Sequence, residues 1–294
     1  MRQSPCVACG SLAGGGAGDS LPSTLTRHAI MRSLGTLAPL GALVTTLAGC
    51  APATSPTPAP VPAATSTAPA APTGPTPQQI AAMERRLSDW PNLARYRDAN
   101  AALGDPAPGE SRVVFMGNSI TDAWAKSFPT MFPGKSYIGR GISGQTTPQM
   151  LARFRQDVVA LKPKVVVILA GINDIAGNTG PSTQQMIADN LMSMTEIAKA
   201  NGIRVVLSSV LPAYDFPWRR GLQPAPKVAA LNAWMKQYAQ EAGVVYLDYY
   251  SKMVDARGGL PPELAGDEVH PTEPGYRLMA PLAEAAIQQA LSQR

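Results

Sequence analysis

Residues 164–174 read KVVVILAGIND, and this stretch decides the fold class. From Val165 to Leu169 every residue is apolar, so a strand built from them has two apolar faces. Such strands are typical of the centre of a parallel sheet, which is covered by helices on both sides. At the carboxyl end of this predicted strand come a glycine and then the polar pair Asn173 and Asp174.

Outward from this stretch, predicted strands alternate with predicted helices. Apolar residues spaced by three or four predict the helices, and short apolar runs predict the strands. The strands are expected at 112–116, 137–138, 164–170, 205–211 and 244–247, and the helices at 78–103, 121–128, 147–161, 182–199, 227–241 and 273–291. This alternation predicts an α/β fold with a parallel sheet of about five strands and helices on both faces.

A leader is predicted over residues 1–49, with translation beginning at Met31. Residues 34–47 form an uncharged, mostly apolar run, shorter than the roughly 20 residues of a transmembrane helix, that fits a secretory signal peptide. The run ends in LAGC at residues 47–50, which resembles the lipobox of bacterial lipoproteins. The resemblance implies cleavage before Cys50, acylation of its thiol and anchoring in the cell envelope, at the outer membrane if the host is Gram-negative. An ordinary signal peptide followed by a chance cysteine is the alternative.

The acylated cysteine is expected to be followed by a spacer, so that residues 50–77 form a lipidated linker. Residues 51–77 contain no charged residue and consist largely of proline, alanine and threonine. Because such a stretch has little apolar surface to bury, we expect it not to fold by itself. The remaining residues, 78–294, are enough for one substantial core, and we predict a single globular domain there.

The charge distribution and the histidine count exclude several classes of function. The chain carries 25 Lys and Arg against 20 Asp and Glu, a net charge of +5, and its basic residues are scattered. Nucleic-acid binding needs a clustered basic patch, so no nucleic-acid partner is predicted. Of the two histidines, His28 lies in or before the leader, which leaves His270 alone in the domain. A zinc site built on two or three histidines is therefore excluded, and no metal or cofactor is predicted.

Polar residues gather where the predicted strands end, and ligands of parallel sheets bind beyond the carboxyl ends of the strands. The segments found there are 117–119, 140–144, 171–174 and the late loop 267–270. His270 is the candidate base, and Asp267 lies close enough in the chain to orient its ring by accepting a hydrogen bond from Nδ1–H. Since no cysteine follows Cys50, the nucleophile must be an alcohol. Ser119 and Ser143 are the candidates, and simple helix capping is the alternative role for Ser119.

These segments together resemble the motif blocks of the SGNH (GDSL) hydrolases. The sequence GNSIT at 117–121 is similar to the first block, Gly144 in GISGQ to the second, GIND at 171–174 to the third, and DEVH at 267–270 to the last, in the family's order. The resemblance covers about residues 112–290. It implies a three-layer, flavodoxin-like fold and a serine esterase mechanism without a cofactor.

The resemblance also implies a role for each site residue. Ser119 is expected to be the nucleophile, His270 the base, and Asp267 the residue that orients the base. The expected oxyanion hole consists of the N–H groups of Ser119 and Gly144 and the side-chain amide of Asn173.

The expected activity is hydrolysis of short-chain O-acyl esters through an acyl-serine intermediate. The loop GISGQTT, residues 141–147, is most similar to the branch related to the platelet-activating-factor acetylhydrolase catalytic subunits, which implies an acetyl group. An acetylated glycan is the expected substrate. The alternatives are a lysophospholipase-like lipid acylhydrolase, an O-acyltransferase and, from another class, a catalytically silent tethered binding module. In the long loop 212–225, we expect Trp218 with Arg219 or Arg220 to stack on or clamp the substrate, a packed surface loop being the alternative.

Overall fold

The computed structural model describes residues 74–293, and within them it contains a five-stranded parallel sheet. The strands are β1 Val113–Gly117, β2 Tyr137–Gly141, β3 Val165–Leu169, β4 Arg204–Ser208 and β5 Val245–Leu247, in the spatial order β2-β1-β3-β4-β5. This architecture confirms the predicted α/β fold. The predicted leader, the acylation of Cys50 and the linker up to residue 73 lie outside the described residues and stay predictions, as does the domain boundary at 78.

Helices cover both faces of the sheet. In chain order they are α1 Pro77–Ser88, α2 Arg97–Leu103, α3 Ser119–Ala125, α4 Phe128–Met131, α5 Thr147–Asp157, α6 Ile172–Ile175, α7 Gln184–Ala200, α8 Pro224–Ala242, α9 Tyr250–Met253 and α10 Glu273–Ser292, with a 3₁₀ turn at Val159–Leu161 after α5. No helix between residues 74 and 293 is both long enough and apolar enough to span a membrane.

The all-apolar strand β3 is explained by the two cores that it separates. Val166 and Ile168 pack into one core with residues of α5, α7 and α8. Val165, Val167 and Leu169 pack into the other core with residues of α3, α4 and α10. Because successive side chains of a strand point to opposite faces, a central strand between two helical layers is apolar at every position.

Strand β2 has a weak sequence signal because α3 lies directly on it. A Cβ atom added at Gly139 would lie 2.2 Å from the Cβ of Ala125, and one added at Gly141 would lie 2.2 Å from the backbone nitrogen of Asp122. Only glycine fits at these two positions, so one face of β2 lacks the apolar side chains that mark a strand in the sequence.

The prediction of one helix over 78–103 is wrong. The structure has α1 and α2 with an irregular segment between them, in which Asn92 has a φ of +55°. Pro91 explains the break, because a proline lacks the N–H that continues a helix and disfavours helical backbone at the residue before it. Of the apolar side chains that predicted the helix, Leu93 is half-buried and four are exposed; those four are Ile80, Met83, Leu87 and Trp90.

The segment 89–103 is nevertheless held to the sheet by partly buried hydrogen bonds. The Tyr96 hydroxyl donates to the carbonyl of Gly141 at the end of β2. Asn100 accepts a hydrogen bond from Nε of Arg140 at 2.7 Å and donates Nδ2–H to Asp157 at 2.7 Å. These contacts hold the segment against the end of the sheet at which the site lies.

Candidate active site

The parallel register brings three loops to one edge of the sheet. Gly117 of β1 is paired with Gly141 of β2 on one side and with Leu169 of β3 on the other. The chain therefore leaves these three strands at the same level, and the loops that carry Ser119, Gly144 and Asn173 begin side by side. Since β1 is flanked by β2 and β3, the loop of Ser119 lies between the other two.

The late loop brings His270 to Ser119, although 151 residues separate them. The Oγ atom of Ser119 lies 2.8 Å from Nε2 of His270. On the other side of the ring, Nδ1 lies 2.6 Å from Oδ2 of Asp267. A carboxylate accepts only, so Nδ1 carries the proton and Nε2 is free to accept from the serine hydroxyl. The three side chains form a continuous hydrogen-bonded chain in the order of a Ser-His-Asp triad.

Asp267 is held in place by its own loop. Its Oδ1 accepts hydrogen bonds from the backbone N–H groups of His270 at 2.7 Å and of Val269 at 3.1 Å. Partial burial raises the pKa of Asp267, but these N–H groups and the His270 ring together outweigh burial, and the net pKa is lowered. The carboxylate is therefore ionised at neutral pH and can stabilise an imidazolium on His270.

Ser143, the other candidate nucleophile, is not placed to react with His270. Its hydroxyl donates to Oδ2 of Asp122 at 3.0 Å instead. The structure therefore brings Ser119, and not Ser143, to His270.

The three N–H groups predicted to form the oxyanion hole have free capacity, while their place around an ester oxygen stays a prediction. Ser119 is the first residue of α3, so its N–H has no acceptor within that helix. Gly144 has a φ of +79°, which only glycine adopts readily, and its carbonyl accepts from Nδ2 of Asn178 at 3.1 Å. Asn173 donates one Nδ2–H to the carbonyl of Gln145 at 2.9 Å, which leaves its second N–H available.

A model of the GDSL-like lipase/acylhydrolase family matches residues 115–278, more than half of the chain. The chain belongs to this family. The predicted resemblance to the GDSL hydrolases is therefore confirmed. The predicted enzyme class, a GDSL-type ester hydrolase, is confirmed with it.

Individual proteins of the GDSL family are similar to this chain. The crystal structure of a candidate acylhydrolase from Bacteroides fragilis has a TM-score of 0.67 and 49% identity, over 69% of this chain and 99% of that one. An acetylxylan esterase of Geobacillus stearothermophilus is 28% identical over 160 residues, which is 50% of this chain and 69% of that protein. A lipoprotein of Bacillus subtilis is 29% identical over 124 residues, 41% of this chain; the chain spans about half of that relative's length, 51%.

The loop 212–225 contributes an aromatic side chain to the GDSL site. Trp218 is half exposed, stacks on Phe216 and has its ring centroid 6.1 Å from that of His270. Arg219 donates to the carbonyl of Ala176 at 2.6 Å. Trp218 is thus the residue of this loop best placed to meet a substrate, and its role there stays a prediction.

The second arginine of this loop is paired within the protein. Nη1 of Arg220 lies 2.6 Å from Oε2 of Glu268, which has a φ of +69° in the turn between Asp267 and His270. Both arginines thus support loops of the site, and the prediction that either one clamps a substrate also stays a prediction.

Arg153 is fully buried below the site and is not among the residues predicted from the sequence. Its guanidinium donates through Nη2 to the carbonyl of Gly117 at 3.0 Å and through Nε to Oε1 of Gln145 at 2.6 Å, and it pairs with Asp157 at 3.0 Å. Gly117 precedes the nucleophile turn and Gln145 follows Gly144, so one side chain links both loops. The available signal was an arginine and an aspartate four residues apart within the apolar face of α5.

Asp174, next to Asn173, is also buried and links two loops of the site. Its carboxylate accepts hydrogen bonds from the hydroxyl of Thr147 at 2.6 Å and from the N–H of Thr147 at 3.0 Å. Burial raises the pKa of Asp174 to about 6, because it penalises the charge more than the hydrogen bonds from Thr147 favour it.

Replacing Asp174 by Asn is expected to remove a pH dependence of stability. The folded state holds the Asp174 proton more tightly than the unfolded state, in which the pKa is near ~3.9. This difference contributes to the free energy of unfolding fully below pH ~3.9, and the contribution is lost as the pH rises through about 6. Relative to Asp174→Asn, the free energy of unfolding of the wild type in urea should fall by about 2–3 kcal/mol between pH 4 and 7. Asp189→Asn, at an exposed position of α7, is the matched control. Parallel profiles for wild type and Asp174→Asn would contradict this prediction.

Proposed function

We propose that this protein is a serine esterase that hydrolyses short-chain O-acyl esters through an acyl-serine intermediate. The observation that carries the proposal is the continuous chain from Ser119 Oγ through the His270 ring to Asp267, with distances of 2.8 and 2.6 Å. It lies at the sheet edge where the loops of Gly144 and Asn173 begin, and these loops carry the proposed oxyanion donors. An intact triad of this geometry favours catalysis over a silent binding module.

The first half-reaction forms the acyl-enzyme. His270 Nε2 takes the proton of Ser119 Oγ as Oγ attacks the ester carbonyl carbon, and Asp267 stabilises the imidazolium that results. The carbonyl oxygen becomes an oxyanion and accepts hydrogen bonds from the N–H groups of Ser119 and Gly144 and from the Asn173 amide. His270 then gives its proton to the leaving alcohol oxygen, the carbon–oxygen bond breaks, and the acyl group stays on Ser119.

The second half-reaction restores the enzyme. Water loses a proton to Nε2 of His270 and attacks the acyl carbon, and the same N–H groups stabilise the second oxyanion. The intermediate releases the carboxylic acid, and Ser119 Oγ regains its proton from His270. If a sugar hydroxyl replaces water in this step, the product is a new ester and the enzyme is an acyltransferase.

An acetyl group on a glycan is the proposed substrate. It is supported by the resemblance of the loop 141–147 to acetylhydrolases and by the similarity to an acetylxylan esterase. Release of p-nitrophenol from acetate, butyrate and octanoate esters tests the acyl length. Rates that fall with chain length support an acetylesterase, whereas a preference for octanoate supports the lipid acylhydrolase alternative.

Replacing Ser119 by Ala is expected to lower kcat on p-nitrophenyl acetate by roughly 10³-fold or more, because the nucleophile is lost. The hydroxyl of Ser119 contacts the His270 ring and not the apolar core, so its removal should leave the fold and the circular dichroism spectrum unchanged. Ser143→Ala is the matched control and should keep kcat within about tenfold of the wild type, since its hydroxyl contacts Asp122 rather than His270. Full activity of Ser119→Ala would refute the proposed mechanism.

Replacing Asn173 by Ala is expected to lower kcat by about 10²–10³-fold with a smaller change in KM, because one oxyanion donor is lost. The comparison variant is Asn201→Ala, at the other end of the sheet, where the side chain donates to the carbonyl of Ile197. It should have wild-type kcat. An unchanged kcat for Asn173→Ala would remove Asn173 from the oxyanion hole.

We further propose that Cys50 is acylated and anchors the protein in the cell envelope. The LAGC sequence at 47–50 supports this, together with the similarity to a lipoprotein of Bacillus subtilis. In a Gram-negative host, the full chain is expected to partition into the detergent phase of Triton X-114, and Cys50→Ser into the aqueous phase. Aqueous partitioning of the wild type would support the ordinary signal peptide instead.

A further inference from the structure

We propose that a cleft beside Gly144 binds the neutral oligosaccharide part of the substrate and that Trp90 forms its stacking platform. The inference rests on the proposed esterase function of Ser119 and names the part of the substrate that the triad does not contact. The cleft has a volume of about 900 Å³ and lies between the segment 82–92, the loop 142–145 and residues 178–179. Gly144, which carries one of the proposed oxyanion donors, lines the cleft, so a ligand bound there lies next to that residue.

The indole of Trp90 is 44% exposed, yet the backbone that carries it is fixed. The carbonyl of Trp90 accepts from Nε2 of Gln149 at 2.8 Å, and the next carbonyl, of Pro91, accepts from Nε2 of Gln145 at 2.6 Å. Gln145 is in turn held by the buried guanidinium of Arg153. The same contacts that support the Gly144 loop therefore position Trp90, and a rigid aromatic side chain loses little entropy when a ligand covers it.

The charges of the lining favour a neutral ligand. Among the described residues that line the cleft, Asp89 is the one carboxylate, and there is no Lys, Arg or His. The carboxylate of Asp89 accepts the backbone N–H groups of Leu93 and Ala94, which fixes the turn after Trp90. Among these described lining residues a phospholipid phosphate would therefore meet no cation, and its negative charge would lie near Asp89.

The polarity of the lining favours a sugar over an acyl chain. Beside the indole, the wall presents amide and hydroxyl side chains, among them Asn92, Gln149, Asn178 and Thr179. Gln149 and Asn178 each donate one hydrogen bond within the protein and keep further hydrogen-bonding capacity. A sugar ring offers an apolar C–H face for the indole and hydroxyl groups for that remaining capacity, whereas a long acyl chain offers these side chains no hydrogen bond. The segment 82–92 lies outside the range 115–278 that the family model matches.

Binding of xylotetraose and of chitotetraose to the full-length wild-type protein, measured by isothermal titration calorimetry, tests the proposal. Neither sugar carries an O-acyl ester, so binding is measured independently of catalysis. We expect at least one of them to bind and Trp90→Ala to weaken that binding by about tenfold or more, while Trp90→Phe retains most of it. Leu87→Ala is the matched control, because Leu87 is 82% exposed in the same segment but does not line the cleft.

Equal affinities of the wild type and Trp90→Ala would overturn the proposal, and so would the absence of binding by both sugars. Binding of glycerophosphocholine or of lysophosphatidylcholine that depends on Trp90 would overturn it in favour of a lipid. Hydrolysis of p-nitrophenyl acetate, measured in parallel on the wild type, separates the two proposals. If that ester is hydrolysed and no sugar binds, the cleft assignment fails alone; if sugars bind and no ester is hydrolysed, the esterase proposal fails alone.

Discussion

The geometry of the site depends on the hydrogen bonds of the buried Arg153 guanidinium. It donates to the carbonyl before the nucleophile turn, to Gln145 beside Gly144, and to Asp157, all without access to water. An isolated charge in such a position would be strongly unfavourable, and the carboxylate of Asp157 compensates for it. The planar guanidinium holds its three nitrogen atoms in a fixed arrangement, and so it sets the positions of the loops to which they donate. A flexible side chain would fix these positions less firmly.

The contacts of Arg153 position residues on two sides of it. Towards the sheet, it fixes the end of β1, where Ser119 begins α3, next to the tightly packed pair of β2 and α3. Towards the surface, Nε2 of Gln145 donates a hydrogen bond to the carbonyl of Pro91, the residue after Trp90. The site of reaction and the cleft proposed for the sugar thus rest on the same buried contacts, so a substrate held in one has a defined position relative to the other.

Much of this was predictable because it is local in the chain. The strand over 165–169 follows from its unbroken apolar run, and Asp267 and His270 lie within one loop, three residues apart. Other features were not predictable. The helix expected over 78–103 is interrupted, because the proline at 91 outweighs the apolar spacing around it, and β2 is weakly marked, because the packing of α3 replaces its apolar side chains by glycine.

The sequence by itself determined the α/β class, the family resemblance and the candidate residues at the ends of the strands. It did so because periodicity records which faces are buried, and because the motif residues follow the strands directly. Only the tertiary structure decided that Ser119 rather than Ser143 faces His270, that Arg153 lies under both loops, and that Trp90 and Gly144 line the same cleft. Each of these depends on residues far apart in the chain, and their proximity follows from the order and register of the strands, which no local pattern contains.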